Sequence, residues 1–182
     1  MKKKAIFLDR DGTLIEEKNY LFKPEDVTFE KDGIPALQKL QEAGFLLFII
    51  TNQAGIGRGY FTEADFHAVQ KHILNELSKH NITITQTYFC PHHPEAGIGH
   101  YLKNCEDRKP NPGMINRALA QHQLSAKDCF MIGDMPTDIQ AGKNAGCKTI
   151  LVQTGHAKNQ TFPTPPDYIA PTLLDAVDNY IL

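Results

Sequence analysis

Five short apolar runs, separated by longer amphipathic stretches, constrain the fold of this chain more than any other feature. The runs are continuous rather than alternating in polarity, which is typical of strands that are covered on both faces. They span residues 4–8, 46–51, 85–90, 129–133 and 148–152. The amphipathic stretches predict helices at residues 33–43, 63–80, 112–122, 137–144 and 173–181. This alternation predicts an α/β fold with a doubly wound, Rossmann-like parallel sheet.

The length and charge of the chain limit the classes of partner. With 182 residues, the chain has the length of one domain, which we assign to residues 1–182 with no large cap domain. The net charge of −2 gives no support for binding to nucleic acid or to an anionic membrane. No run of about 18 apolar residues predicts a membrane span, and the chain does not begin with a leader-like segment. We therefore expect a cytoplasmic protein, and a monomer with an open site.

Polar side chains follow three of the predicted strands directly. Asp9 and Asp11 follow the first strand, residues 51–53 lie at the end of the second, and Asp134 follows the fourth. We expect them to form one site, because ligands of such sheets lie beyond the carboxyl ends of the strands. Residues two apart on an extended segment share a face, so Asp9 and Asp11 should point at one spot while Arg10 points away. The acids Asp9, Asp11 and Asp134 form the all-oxygen ligand set that suits Mg²⁺.

The residues around these acids predict phosphoryl transfer. Thr51 offers a hydroxyl, Asn52 an amide and Lys109 a compact cation to a phosphoryl group that spreads negative charge over its oxygens. A carboxylate nucleophile divides hydrolysis into two steps through an aspartyl-phosphate intermediate. We assign Asp9 as the nucleophile. Asp11 would protonate the leaving oxygen and then deprotonate the incoming water.

The segment 90–110 has the pattern of a metal-binding loop. Cys90-x-His92 and Cys105-x-Asp107 place paired ligands at the two ends of a segment with little apolar content. Zn²⁺ takes sulfur, imidazole nitrogen and carboxylate oxygen in a tetrahedral set. We therefore predict a structural Zn²⁺ held by Cys90, His92, Cys105 and Asp107. The spare ligands, should Asp107 point elsewhere, are His93 and His100.

Four segments of the chain resemble the sequence motifs of the haloacid dehalogenase superfamily. They read FLDRDGT at residues 7–13, ITNQ at 50–53, RKP at 108–110 and GDMPTD at 133–138. The second acid of the first motif resembles the phosphatase branch of that superfamily. Within this branch the chain resembles the heptose bisphosphate phosphatases over nearly its whole length. The supporting segments are TNQAGIGRGYFTE at 51–63, CPHHP at 90–94 and RKPNPGM at 108–114.

The resemblance implies a Mg²⁺-dependent phosphatase with a sugar phosphate as its small-molecule substrate. Its reaction would remove the C7 phosphate of D-glycero-D-manno-heptose 1,7-bisphosphate, a step in making lipopolysaccharide heptose precursors. The chain departs from the family at two positions. Asp107 stands where the family commonly has a cysteine, and Met135 replaces a lysine, so that a cation near the phosphate is lost. The substrate contacts that the resemblance implies are Glu17, Lys18, Asn19, Tyr20, Asn52, Gln53 and Arg108.

Other interpretations remain open from the sequence. A histidinol-phosphate phosphatase shares the four motifs and the metal loop, although the long gap between His92 and Cys105 favours the heptose enzyme. A further interpretation is a phosphatase that acts on nucleic-acid ends, but the sequence lacks the stripe of basic residues that would bind a nucleic-acid backbone. From a different class, a zinc-ordered binding module would use the same fold without hydrolysis, and the complete set of acids argues against it. Asp138 has three open roles, which are holding Lys109, capping a helix and binding metal.

Overall fold

The structure, a computed structural model, describes residues 3–182 and contains a six-stranded sheet in which all strands run parallel. The strands are β1 (Lys4–Leu8), β2 (Phe45–Asn52), β3 (Gln86–Cys90), β4 (Cys129–Gly133), β5 (Lys148–Val152) and β6 (Tyr168–Ala170). Their order in the sheet is β3-β2-β1-β4-β5-β6, so the chain first builds outward from β1 on one side and then on the other. The sheet is therefore doubly wound, with its switch point beside β1.

Helices fill most of the connections between the strands. They are α1 (Gly33–Glu42), α2 (Ala54–Gly57), α3 (Glu63–Lys79), α4 (Gly113–His122), α5 (Pro136–Asn144) and α6 (Leu173–Ala176), and α6 continues as a π-helical turn over Val177–Ile181. Helix α3 begins at a capping box in which Thr62 Oγ1 accepts from the Asp65 amide at 3.1 Å, and Asp65 Oδ2 accepts from the Thr62 amide at 2.8 Å. Within residues 3–182, no helix combines the length and apolar character needed to cross a bilayer.

The central strand β1 is buried on both of its faces. Ile6 and Leu8 belong to an apolar cluster that α1, α3 and α6 cover, and Ala5 and Phe7 belong to a second cluster that α4 and α5 cover. All four side chains are fully buried. This two-sided burial explains why the strand is a continuous apolar run rather than an alternating one.

The predicted fold class is confirmed. The five predicted strands and the first four predicted helices are present, and each ends within one residue of its predicted limit. Strand β6 is not predicted from the sequence, because three residues that follow a proline-rich segment carry almost no periodic signal. The single turn of α2 is not predicted either. The last predicted helix, 173–181, is wrong in part, since only Leu173–Ala176 is α-helical.

Candidate active site

Polar side chains from two strand ends line one cavity at the switch point of the sheet, and the acid at a third strand end lies beside them. Asp9 follows β1, Thr51 and Asn52 end β2, and Asp134 follows β4. Beyond these strand ends lies a cavity of about 350 Å³, a size that suits a small ligand. Its lining residues are Asp9, Arg10, Asp11, Glu17, Asn19, Tyr20, Leu21, Thr51, Asn52, Gln53, Ala54, Gly55, Arg108, Lys109, Met135, Thr137, Asp138 and His156.

Asp9 and Lys109 form a buried ion pair at this cavity. Lys109 Nζ lies 2.7 Å from Asp9 Oδ1 and 2.7 Å from Asp138 Oδ1, and it also donates to the Ile50 carbonyl at 2.8 Å. The exposed fractions are 8% for Asp9 and 3% for Lys109. A buried ammonium with two carboxylates is held in place far more firmly than a surface pair, because little water competes for it.

The pKa values of both residues of this pair are shifted from their ordinary values. Burial, together with the charge of Asp138, raises the pKa of Asp9 well above its usual range, although the Lys109 ammonium opposes this. Burial alone would lower the pKa of Lys109, but the carboxylates of Asp138 and Asp9 outweigh it and raise that pKa. Lys109 therefore stays charged at any ordinary pH. Perturbed groups of this kind in a cavity are typical of functional sites.

Three acids approach one another closely enough to hold a metal ion. Asp9, Asp134 and Asp138 each place a carboxylate oxygen within 4.8 Å of the others. Asp134 Oδ2 accepts from the amide of His156 at 2.7 Å, whereas Asp134 Oδ1 is buried and has no hydrogen-bond partner among the residues that the structure describes. Burial, followed by the charge of Asp138, raises the pKa of Asp134 to about 7. Crowded, buried carboxylates with an oxygen left over fit an oxygen-liganded cation such as Mg²⁺.

Gly12 permits this arrangement. Its φ of +84° lies in the left-handed region, and a Cβ at this position would lie 2.5 Å from Asp134 Oδ2. Any larger residue would therefore meet both backbone strain and a direct clash with the acid. The close approach of the loop after β1 to the end of β4 depends on this glycine.

The position of Asp11 corrects one detail of the sequence analysis. Its carboxylate does not join Asp9 and Asp134, where Asp138 is the third acid instead. Asp11 Oδ2 accepts from Arg10 Nε at 2.9 Å and from Gln53 Nε2 at 3.0 Å, and Arg10 is only 1% exposed. The expectation that Arg10 points away from Asp11 is thus wrong. The physical reason is that β1 ends at Leu8, so the alternation of an extended strand no longer applies to these residues.

The residues expected to contact substrate divide into three groups. Glu17, Asn19, Tyr20 and Arg108 line the cavity. Lys18 does not line it, because its ammonium is turned away and donates to the Asp26 carbonyl at 2.6 Å and to Thr28 Oγ1 at 2.7 Å. The third group, Asn52 and Gln53, lines the cavity but uses its amides on other site residues. Gln53 bonds to Asp11 and to Thr51 Oγ1 (2.8 Å), and Asn52 bonds to the main chain of Lys109.

The cysteine–histidine loop brings three of its four predicted ligands together. Cys90, His92 and Cys105 place their sulfur and nitrogen atoms within 4.8 Å of one another. Burial raises the pKa of Cys90 to about 12, so that this thiol needs a cation beside it to ionise. Asp107 lies outside the cluster, because its Oδ2 pairs with Arg117 at 2.6 Å. The spare ligand His93 is engaged elsewhere, since its Nδ1 accepts from the Ala96 amide at 2.9 Å.

His156 is the cavity residue that sequence reasoning missed most clearly. The segment 155–166, rich in threonine and proline, has the composition of a surface connection, but His156 lines the cavity, and its amide bonds to Asp134. Its imidazole Nε2 lies 3.8 Å from Glu17 Oε2. The sequence could have indicated this residue, because ligands of a doubly wound sheet lie beyond the carboxyl ends of its strands and His156 follows the end of β5 within a few residues.

Comparison with known proteins agrees with this geometry. Residues 106–176 match the HAD-hydrolase-like family model. The chain is 39% identical over 174 residues to the D-glycero-beta-D-manno-heptose-1,7-bisphosphate 7-phosphatase of Pasteurella multocida, covering 95% of this chain and 94% of that one. It is also 39% identical over 160 residues to the corresponding alpha enzyme of Photorhabdus laumondii, covering 87% of each.

A solved structure gives the same result. The D,D-heptose 1,7-bisphosphate phosphatase of B. bronchiseptica, in complex with magnesium and phosphate, superposes with a TM-score of 0.85 at 26% identity and covers 97% of this chain and 96% of that one. The fold, the site and the relatives therefore indicate the same family, and the relatives cover almost the entire sequence. The chain belongs to the haloacid-dehalogenase-like hydrolases and, within them, to the family of the D-glycero-D-manno-heptose-1,7-bisphosphate 7-phosphatases.

Proposed function

We propose that this chain is a Mg²⁺-dependent phosphatase that hydrolyses the C7 phosphate of D-glycero-D-manno-heptose 1,7-bisphosphate. The observation that carries the proposal is the position of Asp9. Its carboxylate faces a cavity of about 350 Å³, and the Lys109 ammonium lies 2.7 Å from one of its oxygens. A nucleophile and a cation are thus fixed side by side where a phosphoryl group would be bound. The identity of the substrate, a sugar bisphosphate, is inferred from the names of the relatives.

In the first step, an oxygen of Asp9 attacks phosphorus and the bond between phosphorus and the C7 oxygen breaks. Asp11, which lines the same cavity, gives its proton to the departing C7 oxygen. In the second step, a water molecule gives a proton to Asp11 and attacks phosphorus, and the bond from phosphorus to Asp9 breaks. Inorganic phosphate leaves and both carboxyl groups return to their starting states.

The remaining residues balance the charge of the phosphoryl oxygens. Lys109 contributes its ammonium, and the buried Thr51 contributes a hydroxyl whose orientation Gln53 fixes. Asp9 and Asp134 would hold Mg²⁺, which supplies charge neutralisation of the phosphoryl oxygens when it is bound. Arg108, at the wall of the cavity, presents a guanidinium suited to an anionic sugar.

The test is a comparison of substrates with and without Mg²⁺. We expect kcat/KM for one anomer of the heptose bisphosphate to exceed that for histidinol phosphate by about 10²-fold or more. Both anomers belong in the assay, because relatives named for each are equally similar to this chain. Phosphorus NMR of the product should show the C1 phosphate retained. A preference for histidinol phosphate would identify the other phosphatase, and absence of hydrolysis with every substrate would favour a zinc-ordered binding module.

We further propose a structural Zn²⁺ on Cys90, His92 and Cys105. The support is the convergence of two thiols and an imidazole on one point, a donor set typical of zinc. Asp107 could join them only by leaving its ion pair with Arg117. Three protein ligands are therefore the set that the geometry favours.

Zinc analysis tests this site directly. We expect about one zinc per chain in protein prepared without chelators, and a lower melting temperature after zinc is removed, because metal binding stabilises the folded loop. Cys105→Ser should lose most of the zinc, whereas the matched variant Asp107→Ala should keep it. A zinc-free preparation with an unchanged melting temperature would contradict the proposal. Loss of zinc in Asp107→Ala would show instead that Asp107 is the fourth ligand.

A further inference from the structure

Asn52, the last residue of β2, bonds to the main chain of Lys109 in both directions. Its Oδ1 accepts from the Lys109 amide at 3.0 Å, and its Nδ2 donates to the Lys109 carbonyl at 3.0 Å. The two residues are 57 positions apart in the chain. The paired bonds tie the end of a sheet strand to the loop that precedes α4.

Lys109 has no other main-chain anchor among the residues that the structure describes. It belongs to neither a helix nor a strand, and the main-chain hydrogen bonds of this loop involve its neighbours, such as Arg108 to Cys105 and Asn111 to Arg108. Yet its ammonium must meet Asp9, Asp138 and the Ile50 carbonyl at one point. Asn52 therefore fixes the base of a long side chain whose tip lies in the active site.

We infer that Asn52 is a positioning residue for Lys109, and not primarily a ligand of the substrate. This inference deepens the proposed phosphatase function and rests on it. A lysine side chain is a flexible chain of four carbons. The position of its ammonium therefore depends on the position of its own main-chain atoms. Active-site groups must be held to within about 0.5 Å of their productive geometry. One donor and one acceptor of the Asn52 amide are already engaged in providing that precision.

A double-mutant cycle with Lys109 tests this role. The substrate is p-nitrophenyl phosphate with Mg²⁺, since its hydrolysis does not depend on which sugar the enzyme prefers. We expect Asn52→Ala to lower kcat by about 10- to 100-fold with KM changed by less than about 3-fold. In a Lys109→Ala background, the same change should lower kcat by less than about 2-fold, because residues that act as a unit are not additive. A rise in KM of equal size in both backgrounds would make Asn52 a substrate ligand.

The chain offers a matched control in Asn144. Its Nδ2 donates to the Pro110 carbonyl at 3.0 Å, so that it bonds to the next residue of the same loop but from outside the cavity. Asn144→Ala therefore removes one amide hydrogen bond from this loop without touching the site. We expect its kcat to stay within about 2-fold of the wild type. A loss equal to that of Asn52→Ala would mean that only the general stability of the loop matters.

Hydrogen exchange provides a measurement that does not depend on catalysis. The Lys109 amide should exchange at least about 10-fold faster in Asn52→Ala, and at an unchanged rate in Asn144→Ala. Unchanged exchange in both variants would overturn the inference, even if Lys109→Ala proves too slow or too unstable to assay. If Asp9→Asn retained full activity, the proposed function would fail, while the exchange result would still report on the Asn52–Lys109 tie.

Discussion

Asp9→Asn is expected to lower kcat for phosphate-ester hydrolysis by about 10³-fold or more, because it removes the nucleophile itself. The fold should survive the change. An asparagine oxygen can still accept from Lys109 Nζ, and the substitution removes an acid whose pKa is raised by burial and by the charge of Asp138. Measurement of kcat beside a thermal unfolding curve separates the chemical effect from unfolding.

The control for this experiment is Asp26→Asn. Asp26 is an exposed acid that does not line the cavity, and its side chain makes no hydrogen bond, since only its main chain bonds to Lys18 and Lys23. Its kcat should equal that of the wild type. In the wild type, rapid acid quenching during turnover should trap phosphate on the protein, and Asp9→Asn should trap none. Full activity in Asp9→Asn would show that another group attacks phosphorus.

Asp134→Asn is expected to abolish the response to Mg²⁺ while stabilising the metal-free protein. The folded protein holds the proton of Asp134 up to about pH 7, whereas the unfolded chain releases it near the ordinary value of 3.8. Stability from this group is therefore fully present below pH 3.8 and is lost as the pH rises through about 7. At pH 8 the variant, which has no charge to bury, should be more stable by on the order of 1–3 kcal/mol.

The pH dependence distinguishes this effect from ordinary repacking. The free energies of unfolding of the chelator-treated wild type and of Asp134→Asn should differ most at pH 8 and become equal towards pH 4. Urea unfolding at each pH measures them. Added Mg²⁺ should raise the melting temperature of the wild type and not that of the variant. A variant less stable than the wild type at pH 8 would contradict the prediction. Asp26→Asn again provides the control without a buried charge.

The sequence predicts the sheet well because buried parallel strands have a strong local signal. The run at β1 is apolar at every inward position, and the acids that follow β1 and β4 lie where a doubly wound sheet binds its ligands. This rule predicts Asp9 and Asp134 at the ends of β1 and β4, where the structure has them. The convergence of Cys90, His92 and Cys105 likewise follows from their spacing at the two ends of one loop.

The features that the sequence does not predict are tertiary contacts between side chains. The pairing of Asp107 with Arg117 depends on the packing of α4, and the bond from the His156 amide to Asp134 depends on how the chain leaves β5. Arg10 bonds to Asp11 because the loop after β1 turns immediately. Periodicity describes regular elements, so it has no information where an element ends. Functional side chains lie at such ends.

The strand order has a consequence for how the chain folds during synthesis. One edge of β1 pairs with β2, which follows it closely, but its other edge pairs with β4, which is complete only at Gly133. Until that point has left the ribosome, an apolar strand from the middle of the future sheet has one edge without a neighbour. Such an edge invites pairing with other chains. Contacts this distant in sequence also form slowly, so the sheet is completed around β1 only after most of the chain has been made.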